Sequence, residues 1–204
     1  MRVLLTGFEP FGSLDTNVSW EVAKRVAEMS LGAVDLAIEQ MPVSFGRVAE
    51  VLRDAVGRHN PDIILSLGQS GSGDSVKLER VALNMMDSKM CDNDGYQPNE
   101  EPIDRDGDAA LFTSLPIKLF RSAIEAKGIN SVISNSAGLY VCNRLYYEAL
   151  RLERERPGQR ALFIHLPYYT GQRGVAVDKR TMPLASLTDA VITIIQTLYD
   201  DFNL

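Results

Sequence analysis

Two rhythms of apolar and polar positions alternate along this chain. Short apolar runs at 2–6, 34–39, 63–67, Ser131–Ser134 and 161–165 read as buried strands. Between them the apolar positions recur at helical spacing. Trp20, Ala23, Val26 and Ala27 mark a helix over about 19–29. Phe45, Val48, Ala49, Leu52 and Val56 mark a second, ending near Gly57 and Pro61. Pro116 opens a third, which runs to Gly128, as proline at the first helical position and glycine past the end would suit. A fourth spans 140–155, and Leu187, Val191, Ile194, Ile195 and Leu198 give the closing helix one apolar face. Residues 77–84 read as a strand or hairpin arm. The polar stretch 88–110, with Pro98 and Pro102, reads as a long surface excursion.

Strand–helix alternation of this kind predicts an α/β fold. It is an open, twisted, mostly parallel sheet with helices on both faces, in a single domain over residues 1–204. Such sheets bind ligands at the carboxyl ends of their strands. Gly7, Gly68, the turn at 135–139 and His165 each follow or end a strand, so they are expected to converge on one edge.

Composition narrows the function. Of 204 residues, 45% are hydrophobic and 24% charged, ordinary values for a folded soluble chain. The net charge of −6 argues against a nucleic-acid partner, which would want a basic face. The mixed run Arg151-Leu152-Glu153-Arg154-Glu155-Arg156 reads as a solvated helix face. The apolar core of the N-terminus, Val3-Leu4-Leu5, is too short for a secretion signal. No run approaches the roughly 20 apolar residues of a membrane span. Cys91 and Cys142 form no Cys-x-x-Cys pair, and such sparse cysteines fit a reducing cytoplasm.

With two cysteines and two histidines, few nucleophile–base pairs are possible. Cys142 follows the small-residue turn Ser136-Ala137-Gly138 at a helix start, where the helix dipole favours a thiolate. It also shares an i, i+3, i+4, i+7 stripe with Leu145, Tyr146 and Ala149, which suits a buried apolar residue equally well. His165 ends an apolar strand, where it is either a rim residue or a general base. His59 sits at a helix end and reads as a contact to the helix C-terminus. A base needs an orienting partner, and Glu79, Asp62, Asp87 and Asp92 all compete for that place. The glycine loops lack the spacing of a nucleotide-binding loop. Asp92-Asn93-Asp94-Gly95 with Glu101 only partly mimics a calcium loop, so no metal is expected.

Four motifs occur in order: Thr6-Gly7-Phe8-Glu9-Pro10-Phe11-Gly12, Leu78-Glu79-Arg80-Val81-Ala82-Leu83-Asn84, Ser136-Ala137-Gly138-Leu139-Tyr140-Val141-Cys142-Asn143 and Phe163-Ile164-His165-Leu166-Pro167. Together they closely resemble the pyroglutamyl peptidase I (pyrrolidone-carboxylate peptidase) family of cysteine peptidases, over nearly the whole chain. The resemblance implies Cys142 as nucleophile, His165 as base and acid, and Glu79 as the third member. It implies removal of an N-terminal pyroglutamyl residue from blocked peptides by a cofactor-free, cytoplasmic enzyme that is commonly a homotetramer. It assigns Phe8 and Phe11 to the walls of the substrate pocket, with Asn17 and Gln69 as polar neighbours. Rival readings are an amidase using the same triad on another small lactam or acyl amide, and a binding homologue with an impaired triad. The chain departs from the family pattern at Val18 and Cys91, where proline is frequent. It also departs at Lys89, where arginine is frequent, and at Leu139, where threonine is usual.

Overall fold

The computed structural model describes every residue except Ser72, Asn203 and Leu204, so Ser72 of the glycine-rich loop at 68–73 lies outside the described residues. In chain order the elements are β1 (Arg2–Phe8), α1 (Val18–Ala27), β2 (Asp35–Met41), α2 (Val48–His59), β3 (Ile63–Gln69), β4 (Val76–Glu79) and β5 (Val81–Leu83). There follow β6 (Ala110–Phe112), α3 (Ile117–Ala126), β7 (Ser131–Ser134), α4 (Val141–Glu155), β8 (Arg160–Leu166) and α5 (Leu184–Phe202).

Among the described residues, a six-stranded sheet has the order β2-β1-β3-β8-β4-β7. β2, β1, β3 and β8 run parallel to one another. β4 enters antiparallel to β8 and pairs in parallel with β7. The sheet is therefore mostly parallel, with one reversal between β8 and β4. The 77–84 segment divides at Arg80: β4 joins the sheet, while β5 pairs with β6 in a separate two-stranded ribbon. The excursion between them is tied back by a bridge between Met86 and Glu101.

Successive strand residues face opposite sides, so the sheet feeds two cores. Val3, Leu5, Ile63 and Leu65 pack with apolar residues of α1, α3 and α5. Leu4, Ile64, Ala161 and Phe163 pack with α2 and α4 on the other face. Leu187, Val191, Ile194, Ile195 and Leu198 of α5 are all fully buried, as their spacing predicts. Among the described residues, no helix is long and apolar enough to cross a membrane.

Helix ends show where local signals compete. Gly57 lies inside α2, because Ala55 and Val56 beside it are buried and hold the helix on. The stop comes from Asn60 in the left-handed conformation (φ 42°), followed by Pro61. Pro116 caps α3 from just outside, one position earlier than its sequence context predicts.

Candidate active site

The site is assembled from the ends of β1, β3 and β8 and the start of α4. Gly138, at φ +76°, adopts a left-handed turn that a side chain would strain. The chain then enters α4 with Tyr140 extended as its cap, which puts Cys142 in the first turn. The helical ladder begins with the N–H groups of Asn143 and Arg144, both donating to the Tyr140 carbonyl. The N–H groups of Val141 and Cys142 precede it, and amides in that position point out from the helix end. Leu145, Tyr146 and Ala149 are buried below, so Cys142 crowns the apolar stripe and is itself half-buried. Both readings of its position thus hold for one residue: the helix face is packed and the sulfur lies at the rim. Asn143 locks this helix start in place: its Nδ2 donates to the Leu83 and Met85 carbonyls, and its Oδ1 accepts from the Leu83 N–H.

His165 is 8% exposed near the end of β8. Glu79 stands opposite Phe163 in the antiparallel β4–β8 pair, so His165, two residues on, is its diagonal neighbour on the same face. The result is a 2.8 Å hydrogen bond between His165 Nδ1 and Glu79 Oε1, with Glu79 fully buried. That bond leaves Nε2 for the sulfur, and His165 and Cys142 share the cavity wall closely enough for Cys142 to act on the charge of the ring. Burial opposes a charge on the ring. The interactions with Cys142 and with the hydrogen-bonded Glu79 carboxylate outweigh it and push the imidazole up to about 9. A protonated ring at neutral pH favours the anionic, nucleophilic form of a neighbouring thiol.

The rivals for the orienting role are occupied elsewhere. Asp62 binds the Arg2 guanidinium and its backbone N–H. Asp92 accepts from the N–H groups of Phe45, Asp94 and Tyr96. Asp87 is exposed, its N–H donating to the Leu139 carbonyl. His59 pairs with Glu39 at 2.9 Å at the end of α2.

A cavity of about 130 Å³ opens beside the sulfur, with Phe8, Phe11, Asn17, Gln69, Cys142 and His165 all in its wall. Every residue singled out from the sequence for the pocket therefore reaches it, and the four expected places do converge. The turn at 135–139 arrives by another route, since β7 runs against β8; it contributes Ala137. Val43, Tyr140 and Val141 complete the wall. Burial, with nearby negative charge at Asp92, pushes the Tyr140 phenol up to about 12, so it is a neutral aromatic wall. Its ring meets Phe45 edge-on at 5.2 Å and lies 6.2 Å from Phe11. Lys89 is exposed and is not in the cavity wall.

Asn17 has two tasks. Its Oδ1 caps α1 by accepting from the Ser19 N–H at 3.1 Å, and its Nδ2 donates to the Glu9 carbonyl at 3.0 Å. It thereby fixes the loop that carries Phe11. The valine at position 18 also has a visible consequence: its backbone N–H, which a proline would lack, donates to Gln69 Oε1 at 3.2 Å.

Gly68 sets the spacing of the whole site. A Cβ built there would lie 2.6 Å from Phe163 Cζ and 3.1 Å from Cys142 Sγ. Gly68→Ala is expected to lower kcat/KM at least about 10-fold and to cost about 1–3 kcal/mol of stability, because one methyl must displace a core ring or the nucleophile. Steady-state kinetics with a thermal melt check this. Unchanged kinetics would mean that the sulfur tolerates displacement.

Relatives share the whole chain. The family model described as "Pyroglutamyl peptidase" matches residues 1–200. The pyrrolidone-carboxylate peptidase of Clavibacter michiganensis is 38% identical over 194 residues, covering 95% of this chain and 91% of its own. The crystal structure of pyrrolidone carboxyl peptidase from Fervidobacterium islandicum superposes with a TM-score of 0.93 at 36% identity, covering 98% and 99% of the two chains. Pyroglutamyl peptidase I of Bacillus amyloliquefaciens superposes with a TM-score of 0.90 at 38% identity, covering 96% and 95%. A half-buried thiol on a helix start, a histidine tied to a buried glutamate and a matching fold over the full length lead to one conclusion: the chain belongs to the pyroglutamyl peptidase family of cysteine peptidases.

Proposed function

We propose that this protein is a cysteine exopeptidase that removes an N-terminal pyroglutamyl residue from peptides, with residues 1–204 as its peptidase domain. The observation that carries the reading is a Cys142–His165–Glu79 relay at the wall of a small, largely apolar cavity. The ionised Cys142 sulfur attacks the carbonyl carbon that joins pyroglutamate to the next residue. The carbonyl oxygen becomes an oxyanion beside the Cys142 backbone N–H, a donor set at the helix start. His165, holding its proton on Nε2, gives it to the leaving amine as the carbon–nitrogen bond breaks. A thioester remains. Water, deprotonated by His165, attacks the thioester, and the free acid leaves as the sulfur is restored.

The pocket suits this ring. A lactam is flat, uncharged and polar only at its edge, which calls for apolar walls with a few placed polar groups. Phe8 and Phe11 supply the walls in this reading. Gln69 supplies a donor for the ring carbonyl in this reading, because it lines the cavity and its buried Nε2 has no partner among the described residues. None of the described residues lining the cavity is a carboxylate, and the Cys142 sulfur is already balanced by the protonated His165, so an ammonium group would enter without a free counter-charge. That is a physical basis for refusing free amino termini.

The expected result is rapid amine release from a pyroglutamyl reporter and at least about 100-fold slower release from prolyl and glutaminyl reporters, since an unpaired buried charge or donor costs several kcal/mol. Equal turnover of all three, or turnover of another acyl amide only, would refute the substrate assignment. The same reading makes the protein a cytoplasmic homo-oligomer, tetrameric as in the family it resembles. Its two cysteines are both free, which suits a reducing compartment.

A further inference from the structure

Gln69 can present its amide N–H to the cavity only if the amide is held in one of its two orientations. The structure fixes that orientation through a chain of bonds that starts 103 residues away in sequence. Gln172, 6% exposed, sits in the loop between β8 and α5. The Tyr169 backbone N–H, which can only donate, points at Gln172 Oε1 at 3.2 Å. The Thr16 backbone carbonyl, which can only accept, takes Gln172 Nε2 at 3.2 Å. Both ends of the Gln172 amide are thus assigned by backbone groups. Its Nε2 also donates to Gln69 Oε1 at 2.7 Å. The Val18 backbone N–H donates to that same oxygen at 3.2 Å. With two donors on Oε1, Gln69 Nε2 is the end left over. It is buried and has no partner among the described residues, and Gln69 is in the wall beside Cys142 and His165.

A buried donor without a partner is destabilising, so four bonds that enforce it call for a return elsewhere. We propose that Gln172 is a positioning residue for substrate recognition: it locks the Gln69 amide so that its N–H, and not its carbonyl, meets the ring carbonyl of the substrate. The inference rests on the pyroglutamyl reading above. Gln172 touches no reacting atom. It also ties the Thr16 end of the Phe11 loop to the loop carrying Tyr169, whose hydroxyl lies 3.3 Å from Thr16 Oγ1.

Kinetics with two reporters test this: a pyroglutamyl amide, and a cyclopentanecarbonyl amide of similar ring size that lacks the lactam. Gln172→Ala is expected to raise KM for the pyroglutamyl reporter about 10-fold with a smaller change in kcat, while the cyclopentanecarbonyl reporter, which senses only the tie to the Phe11 loop, changes less than about twofold. Gln172→Glu is expected to be worse than alanine, although it is closer in size. Its carboxylate would draw the Gln69 amide around and turn a carbonyl on the substrate carbonyl. In a Gln69→Ala background, Gln172→Ala should add nothing further. The alkylation rate of Cys142 should be unchanged in every variant. Should the alanine variant not fold, Gln172→Met removes the amide at similar length and carries the same expectation. A wild-type KM in Gln172→Ala, equal losses on both reporters, or additive losses in the double variant would overturn the inference. Failure of the unsubstituted protein to cleave the pyroglutamyl reporter would instead refute the substrate assignment. A Gln69→Ala variant with full activity would refute the role of Gln69, and that of Gln172 with it.

Discussion

Cys142→Ser lowers amine release from a pyroglutamyl reporter by at least about 10³-fold, the expected effect of losing a nucleophile that works as one unit with its base. The serine hydroxyl fits the space, so the fold should survive and the loss belongs to chemistry. The His165 imidazole, pushed up to about 9, is protonated at neutral pH beside the sulfur, an arrangement that activates a thiol and leaves a hydroxyl, with its far higher pKa, un-ionised. His59→Ala is the matched control. That ring, at the end of α2, pairs with Glu39 of β2 and is absent from the cavity wall, so kinetics should stay within about twofold, as for surface changes worth half a kcal/mol or less. The two cysteines make a second measurement clean. Cys91 is exposed and Cys142 half-buried, so accessibility alone predicts faster alkylation of Cys91 at neutral pH. The relay predicts the reverse order, read directly by peptide mass mapping after brief treatment with iodoacetamide. Turnover retained in Cys142→Ser, or Cys91 labelled first, would refute the nucleophile.

The sequence carried this site unevenly, for physical reasons. β1, β3 and β8 are buried on both faces, and such strands appear as continuous apolar runs. The first turn of α4 was legible because Gly138 and the periodic Leu145, Tyr146 and Ala149 bracket it. The direction of β4 and β7 was not. Their residues look alike in either orientation, and the reversal depends on how the 84–109 excursion and α3 return the chain. That reversal is what makes Glu79 the diagonal neighbour of His165, so the third member could not be separated from Asp62, Asp87 or Asp92 by residue pattern. It was separable only by resemblance to a family. Gln172 lay still further out of reach. It sits in a loop without periodicity, and its importance exists only as an orientation of one amide against another. Val18 illustrates the same limit. Its departure from the family pattern was visible, but its effect is a backbone N–H aimed at Gln69, which no side-chain comparison displays.

Glu79→Gln should divide the two contributions that hold His165. The carboxylate favours the imidazolium by charge and by the 2.8 Å bond to Nδ1. Glutamine keeps the shape and removes the charge, so the His165 pKa falls from about 9 toward its ordinary value near 6.5. The general acid for the leaving amine is the protonated ring. The alkaline limb of kcat/KM, expected near pH 9 in the unsubstituted protein, should therefore move to lower pH in the variant. The rate at the optimum should fall about 10²-fold or more, the usual size of a general acid–base contribution. Glutamine also turns Glu79 Oε2, buried without a partner among the described residues, into an amide with two donors there if the remaining oxygen faces the ring. The opposite rotamer puts a donor against Nδ1 and imposes the wrong tautomer. Either way the variant pays in stability or in chemistry. Stability against pH gives an independent reading. A histidine whose folded pKa exceeds its unfolded one contributes in full below about 6.5, and its contribution disappears as pH rises through about 9. The unsubstituted protein should therefore lose thermal stability between pH 6.5 and 9.5, and Glu79→Gln should flatten that decline. An alkaline limb and a stability slope both unmoved in Glu79→Gln would show that the sulfur alone sets the charge on His165, and that Glu79 holds the ring without tuning it.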